Sequence, residues 1–306
     1  MPHQSTKRAL RPRCAEPRRR TTVLERGKME LVILGSSGGP QPNRERSAPA
    51  TAIVRGDDIH VIDCGNGVAR QLVAAGLRLR NLRSVLVTHH HVDHNADLGA
   101  LLHLAWTAGL VSPVDVCGPP PLARMVELLL EAGRPDIEHR ELLGRPKLAG
   151  LLRLREVEEP GVVITTPTMT ITAGTALHPP MPAFAYRVDA DDASVVVSGD
   201  TAASEQVAEL ARGADVLVHE VYSPNHLDRL LAGTNAGVAE LQRHFARAHT
   251  DAESAGKIAK QAGIRTLVLW HLIPYDLDED EWVRQASRHF DGEILVARDL
   301  MRIPVE

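Results

Sequence analysis

Aromatic side chains are nearly absent from this 306-residue chain, with three each of Phe, Trp and Tyr. A core must then be built from Val, Leu, Ile and Ala, and base stacking is disfavoured as a main mode of binding. Cysteine is equally sparse. Cys14, Cys64 and Cys117 are too few and too scattered for a disulfide framework, which fits a reducing cytoplasm. Cys64 and Cys117 follow apolar runs and read as small buried hydrophobes. No apolar run approaches the ~18 residues of a membrane span. The first 28 residues also lack the apolar stretch of a secretory signal, so neither membrane insertion nor export is expected.

Charge is unevenly spread. Residues 1–28 carry nine Lys/Arg against Glu16 and Glu25, a net of +7, while the remainder carries −11. The first segment reads as a disordered basic tail, solvated or upstream of a true start at Met29. Residues 29–306 read as a single acidic domain, which disfavours broad electrostatic capture of nucleic acid.

After this tail, hydrophobic runs and turn residues predict strands at Leu31–Leu34, Thr51–Val54 and His60–Ile62, the last two joined by an Arg55-Gly56-Asp57-Asp58 hairpin. The turn Gly35-Ser36-Ser37-Gly38-Gly39-Pro40 lacks the Gly-Lys-Ser/Thr ending of a phosphate loop and reads as a tight turn near an active site. A helix is expected from Val68 to Ala75, a strand at Ser84–Val87, an amphipathic stretch at Leu98–Ala108 and a helix at Leu122–Ala132. Residues 133–160 read as polar and irregular. Strands follow at Val162–Thr165, Met169–Ala173, Ser194–Ser198, Asp215–His219 and Thr266–Trp270, with a final strand near Glu293–Ala297. Helices are expected at Ser204–Arg212, Val238–Ala248 and Asp251–Ala262, and Thr250-Asp251-Ala252-Glu253 has the form of a capping box. Consecutive strands early and strand–helix alternation later predict an α/β fold of two mixed sheets flanked by helices.

The chemistry is concentrated in residues 88–97, THHHVDHNAD. His89, His91, Asp93 and His94 sit within six positions, and alternation along an extended run would point His89, His91 and Asp93 the same way. Imidazoles with a carboxylate suit a borderline metal, Zn2+ before Mn2+ or Fe2+. Further ligands end other strands: His178, Asp200 in Ser-Gly-Asp-Thr, and His271. Such a set fits two metals, one on His89, His91 and His178, the other on Asp93, His94 and His271, with Asp200 bridging. Paired metals a few Å apart share a water and lower its pKa toward ~7, so a hydrolase needs no Ser or Cys nucleophile. Asp93 can also accept the proton of that water. His90 alternates away and is not expected to ligate. His60, His103, His139, His226, His244 and His289 have no motif around them, and Trp106 reads as core.

These motifs resemble the metallo-β-lactamase superfamily from about Met29 to Ile303. The resemblance implies a four-layer αββα sandwich with metals at one sheet edge, and a supporting role for the buried aspartate of Ile62-Asp63-Cys64-Gly65. Within the superfamily, Leu34-Gly35-Ser36-Ser37-Gly38-Gly39-Pro40, Phe184-Ala185-Tyr186-Arg187, His219-Glu220-Val221 and Ala248-His249-Thr250 resemble the branch of ribonuclease Z and the arylsulfatase-like hydrolases. There Glu220 and His249 would correspond to a proton shuttle for the leaving group. The long tRNA-binding arm usual in bacterial ribonuclease Z is absent, because His178 and Asp200 are only 22 positions apart. Thr88-His89-His90-His91, Asn95-Ala96-Asp97, Trp106 and Gly118-Pro119-Pro120-Pro121 look closer to the arylsulfatase-like members. The expectation is therefore a dinuclear zinc hydrolase of a small anionic sulfate or phosphate ester. A tRNA 3′-processing phosphodiesterase is the alternative, and lactone or thioester hydrolysis a further one. Members of this branch often form homodimers.

Overall fold

The computed structural model describes residues 27–227 and 238–306. The basic tail expected over residues 1–28 thus lies outside the described residues, save its last two positions.

Two seven-stranded sheets form the centre of the molecule. The first runs, in spatial order, β14 (Arg302–Val305), β1 (Met29–Gly35), β2 (Ala50–Arg55), β3 (Asp58–Ile62), β4 (Leu82–Leu86), β5 (Val114–Gly118) and β6 (Leu152–Glu156). The second runs β13 (Glu293–Val296), β12 (Thr266–Ile273), β11 (Val216–Tyr222), β10 (Ser194–Val197), β9 (Ala183–Ala190), β8 (Met169–Ala176) and β7 (Gly161–Thr166). In each sheet antiparallel pairs give way to parallel ones, from β3 to β6 in the first and from β10 to β13 in the second. The β2–β3 hairpin turns where expected, with Arg55 paired to Asp58.

Why four layers form follows from strand periodicity. Ile33, Ile53, Ile62 and Leu86 of the first sheet meet Tyr186, Val197, Val218 and Trp270 of the second in the core between the sheets. Their neighbours Val32, Leu34, Val61 and Val85 face outward, where they would be wet if nothing covered them. Leu72 of α1 (Val68–Ala74), Leu101 of α3 (Leu98–Thr107) and Leu122 of α4 (Leu122–Leu142) cover them, beyond the short α2 (Val92–Asn95). On the other side Val196, Leu217, Leu267 and Leu269 lie under Val207 of α5 (Glu205–Leu210), Ala255 and Ala259 of α7 (Ala252–Ala262) and Trp282 of α8 (Glu279–Ala286). The remaining helix, α6 (Val238–Ala248), leads into α7. The result is the expected αββα sandwich. Trp106 is fully buried in a satellite cluster with Ile137 and Leu148, as core.

Three expectations fail. The helix predicted to end at Ala132 continues to Leu142 through Gly133 and Pro135, and strand β6 lies in the stretch read as irregular. Packing of Ile137 against Trp106 outweighs the local breakers. The chain does not close at β13, because β14 follows and pairs antiparallel with β1, Leu31 opposite Ile303. The cap of α7 is Asp251, whose carboxylate accepts the Ser254 N–H at 2.9 Å, rather than Thr250. The Thr250 hydroxyl instead donates to the Thr201 carbonyl at 2.6 Å.

His60, on β3, is buried with its Nδ1 2.8 Å from the Ser84 hydroxyl, and burial lowers its pKa to about 4. The folded state therefore binds fewer protons than the unfolded chain between an ordinary histidine pKa and 4. Its contribution to stability is complete above ~6.5 and declines as pH falls toward 4. Urea titrations at pH 7 and pH 5 should show wild type losing ~2 kcal/mol more than His60→Gln over that interval. Equal losses would mean that this imidazole is not buried as a neutral ring.

Candidate metal centre

The ends of several strands bring the expected ligands to one edge of the sandwich. After β4 the chain bends at Thr88 and reaches His91, which is extended at φ −68° and ψ 147° and precedes the single turn of α2. Asp93 therefore comes from a helical turn, not from alternation along a strand as predicted, while His94 comes from that turn as expected. His178 follows β8, Asp200 follows β10, and His271 lies inside β12. There the β11–β12 register slips, pairing Glu220 with Trp270 and Val221 with Leu272. The omitted His271 takes φ 50°, and this bulge turns it out of the ladder. A similar left-handed residue, Asp63 at φ 61°, ends β3.

All seven expected ligands meet at this edge. His89, His91, His178 and Asp200 form one group and Asp93, His94 and His271 another, while Asp200 and His271 also gather with Glu220 and His249. His91 Nδ1 lies 3.0 Å from His89 Nε2 and 3.1 Å from His178 Nε2. In the second group Asp93 Oδ2 is 3.7 Å from His94 Nε2 and 3.6 Å from His271 Nε2. Asp200 stands between them: Oδ1 is 3.3 Å from both His94 Nε2 and His271 Nε2, while Oδ2 is 3.8 Å from His89 Nε2. One carboxylate thus offers an oxygen to each group.

The outer contacts decide which nitrogen faces inward. His178 Nδ1 is 2.8 Å from the Ala248 carbonyl, which only accepts, so Nδ1 carries the proton and Nε2 presents a lone pair. His94 Nδ1 donates to Asp63 Oδ2 at 2.7 Å with the same consequence. Asp63 is fully buried and also accepts the Thr88 N–H at 2.8 Å and the Thr88 hydroxyl at 2.9 Å. That hydroxyl, its proton committed to Asp63, can accept from His89 Nδ1 at 3.0 Å. Thus three rings aim lone pairs at one place, held by their far nitrogens.

A proton on His91 Nδ1 could pair with His89 Nε2 or His178 Nε2, but the other inward atoms find no donor. His94 Nε2, Asp200 Oδ1 and both nitrogens of His271 are buried with no hydrogen-bond partner. Orphaned buried polar atoms are costly, and cations among them would relieve the cost. Burial alone would raise the Asp200 carboxyl, but His271 and His94 outweigh it and hold it well below its usual range. Burial keeps His89 neutral and lowers His178 to about 4, states suited to metal ligation. His94 goes the other way, because Asp200, Asp63 and Asp93 overcome its burial. Such a demand for positive charge at Nε2 is met by a proton or by a metal. The donor set fits Zn2+.

Beside this cluster stands a second layer. His249 Nδ1 lies 3.0 and 3.1 Å from the two oxygens of the buried Glu220, and 3.9 Å from Asp200 Oδ2. The Thr201 N–H donates to Glu220 Oε1 at 2.8 Å and fixes the carboxylate. Burial disfavours the His249 cation, but Glu220 more than compensates and lifts its pKa to about 9. His219, the neighbour of Glu220, donates from Nδ1 to the Glu220 carbonyl at 2.8 Å and takes no part in either ligand group.

Other residues fall as follows. His90 donates to the Pro119 carbonyl at 2.7 Å and accepts from Asn95 at 3.2 Å, so it stays out of the centre as expected. His244, read as an isolated histidine, is exposed but its ring centroid lies 6.3 Å from that of His178 and 6.0 Å from that of His249. Thr88 and Gly38 were not singled out from the sequence. A Cβ on Gly38 would lie 2.7 Å from His271 Nδ1 and 2.4 Å from an Ile273 side-chain carbon. The glycine-rich turn hinted at such an approach; Thr88 carried no signal beyond its place before the histidines. A cleft of about 400 Å³, lined by Asn43, Arg46, Asn66, Arg70 and Asp93 among others, opens beside the centre.

Comparison with known proteins agrees with this architecture. Residues 60–272 match the family described as the beta-lactamase superfamily domain. The chain is 32% identical over 290 residues to a protein named Ribonuclease Z from Mycobacterium bovis, covering 90% of this chain and 98% of that one. Among solved structures, the metallo-β-lactamase fold protein YhfI from Bacillus subtilis superposes with a TM-score of 0.67 at 23% identity, over 90% of this chain and 99% of that one. The short form of human tRNase Z superposes with a TM-score of 0.65 at 19% identity, again over 90% and 99%.

Elemental analysis after zinc loading tests the geometry. Asp200→Ala should lose most bound zinc, since one carboxylate serves both groups. Gly38→Ala, which crowds Ile273 and, of the expected ligands, His271 alone, should lose about one ion per chain while far-UV circular dichroism is unchanged. Zinc content equal to wild type in both variants would exclude this ligand set.

Proposed function

The chain belongs to the β-lactamase superfamily, and we propose that within it the protein is a zinc-dependent phosphodiesterase of the ribonuclease Z kind, cutting a precursor RNA such as tRNA. The observation that carries this reading is the end-to-end match to the Mycobacterium bovis protein. It favours the alternative raised by the sequence over the arylsulfatase-like reading. The absent arm had weighed against tRNA. That weight is lifted, because 290 aligned positions take in 98% of the relative and leave little room for an arm there either.

The chemistry supports the same choice. His89, His91, His178 and Asp200 would hold one zinc, and Asp93, His94, His271 and Asp200 the other. Two such ions, when bound, would supply an acidified water and neutralise charge on the phosphate. Asp93 lines the cleft and can take the proton of the attacking water through its second oxygen. His249, held by Glu220 and favouring its protonated form, can give a proton to the departing oxygen. A ribose alkoxide is a poor leaving group and needs that proton; a phenolate leaving an aryl sulfate does not. A built proton donor therefore speaks for the phosphodiester. Exposed Arg70, on the wall of the cleft, can meet phosphates flanking the scissile one.

Zinc-loaded protein should cleave precursor tRNA at physiological salt and turn over bis(4-nitrophenyl) phosphate. Turnover of an aryl sulfate with no cleavage of RNA would overturn this reading. His249→Ala should keep its zinc and lose about 10²- to 10⁴-fold in kcat on RNA, but far less on the nitrophenyl diester. Equal losses on both substrates would remove the proton-donor role.

A further inference from the structure

The Glu220 carboxylate fixes one atom of the His249 ring, not its plane. Both of its oxygens meet the same nitrogen, Nδ1. With Cβ anchored to the backbone and Nδ1 to Glu220, the ring can still rock about the line joining those two atoms, carrying Nε2 away from the place where a leaving oxygen would sit. Something else must hold the plane. Phe245 is one helical turn earlier, at the end of α6, and the His249 N–H donates to the Phe245 carbonyl at 2.9 Å. Its ring lies over the face of His249, with centroids 4.9 Å apart and planes within 29°. Tyr222 backs Phe245 at 5.6 Å, within a small apolar cluster that also holds Leu227, Leu241 and Ile273. On other sides His178 meets His249 edge-on at 5.0 Å, and the His271 ring is nearly parallel but 6.1 Å away. Phe245 is thus the one close, face-on neighbour among these rings, and it has no polar atom to contribute chemistry of its own.

We propose that Phe245 is a positioning residue, whose ring sets the plane of His249 and so aims Nε2 at the leaving group. The inference rests on His249 being the proton donor. Phe245 touches neither ligand group nor Glu220 through any polar contact, so its effect should be confined to the protonation step. Displacing a catalytic group by about 1 Å costs on the order of 10²-fold.

Steady-state kinetics on two substrates tests this. Phe245→Leu should keep wild-type zinc content, lower kcat on precursor tRNA by about 10- to 100-fold with KM little changed, and barely affect bis(4-nitrophenyl) phosphate. Phe245→Tyr, which keeps a ring of the same shape, should restore most of the loss. In a His249→Ala background Phe245→Leu should add nothing. Wild-type kcat on RNA for Phe245→Leu, equal losses on both substrates, or a full additive loss in the double variant would each overturn the proposal. His249→Ala acting equally on both substrates would instead strike at the proton donor itself. That result is visible without touching Phe245, so the two failures are told apart.

Discussion

Inward-facing ring nitrogens and carboxylate oxygens, several with no donor to meet them, are held pointing into one small volume, and the structure depends on keeping them there. His89, His91 and His178 bring ring nitrogens within 3.0–3.1 Å, and Asp200 spans the gap to His94 and His271. Left to themselves these rings would turn toward water or toward hydrogen-bond donors. They are prevented by contacts on their far sides: Asp63 on His94, Thr88 on His89 and the Ala248 carbonyl on His178. Each contact also chooses a tautomer. Rigidity and protonation are therefore set by the same bonds.

Asp63 shows how the fold provides such bonds. It ends β3 in a left-handed conformation, which swings its carboxylate across to the end of the adjacent strand β4. There it accepts from both the backbone and the hydroxyl of Thr88, the residue that starts the histidine run. Parallel neighbours end at the same sheet edge, so a short side chain suffices to link two loops. On the second sheet the bulge at His271 does corresponding work, and Gly38 leaves room for the ring it turns out. Gly199 permits the same closeness elsewhere: at φ 59°, a Cβ there would be 2.8 Å from the Thr88 side chain. The site thus occupies the places where the strands stop being regular, while the apolar layers behind it remain unbroken.

That division explains what could be read from the sequence. Core strands announce themselves by apolar period, and the HxHxDH spacing of His89, His91, Asp93 and His94 is specific enough to mark them as residues that the fold brings together. His178, Asp200 and His271 followed because each ends or interrupts a predicted strand. What stayed hidden depends on contacts between distant residues. A backbone carbonyl such as that of Ala248 has no sequence signature at all. Pro135 argued locally for a break, and only Ile137 meeting Trp106 shows why the helix continues. Strand β14 is a four-residue piece, Arg302–Val305, with alternate exposure, too short to stand out without its partner β1. Phe245 lay on a correctly predicted helix, yet its stacking on His249 depends on how that helix docks.

The candidate ligand set by itself does not tell one ester from another, since any anionic ester would present oxygens to cations held there. Discrimination must come from groups that act on the departing atom or on the parts of the substrate that do not react. In the proposed function His249 and Glu220 would be of the first kind. Their buried pairing, close to Asp200 yet outside the three-histidine group, would be superfluous for a leaving group stable as an anion. It becomes necessary when the departing oxygen belongs to a sugar. Arg70 and the polar wall of the cleft belong to the second kind, and they suit a substrate with more than one phosphate. The acidic body of the chain argues only against broad, unspecific attraction; a few guanidinium groups beside the reacting phosphate still bind locally, where salt screens them least. Charge of the whole and charge of the cleft are thus separate arguments, and for the proposed phosphodiester substrate the second carries more weight.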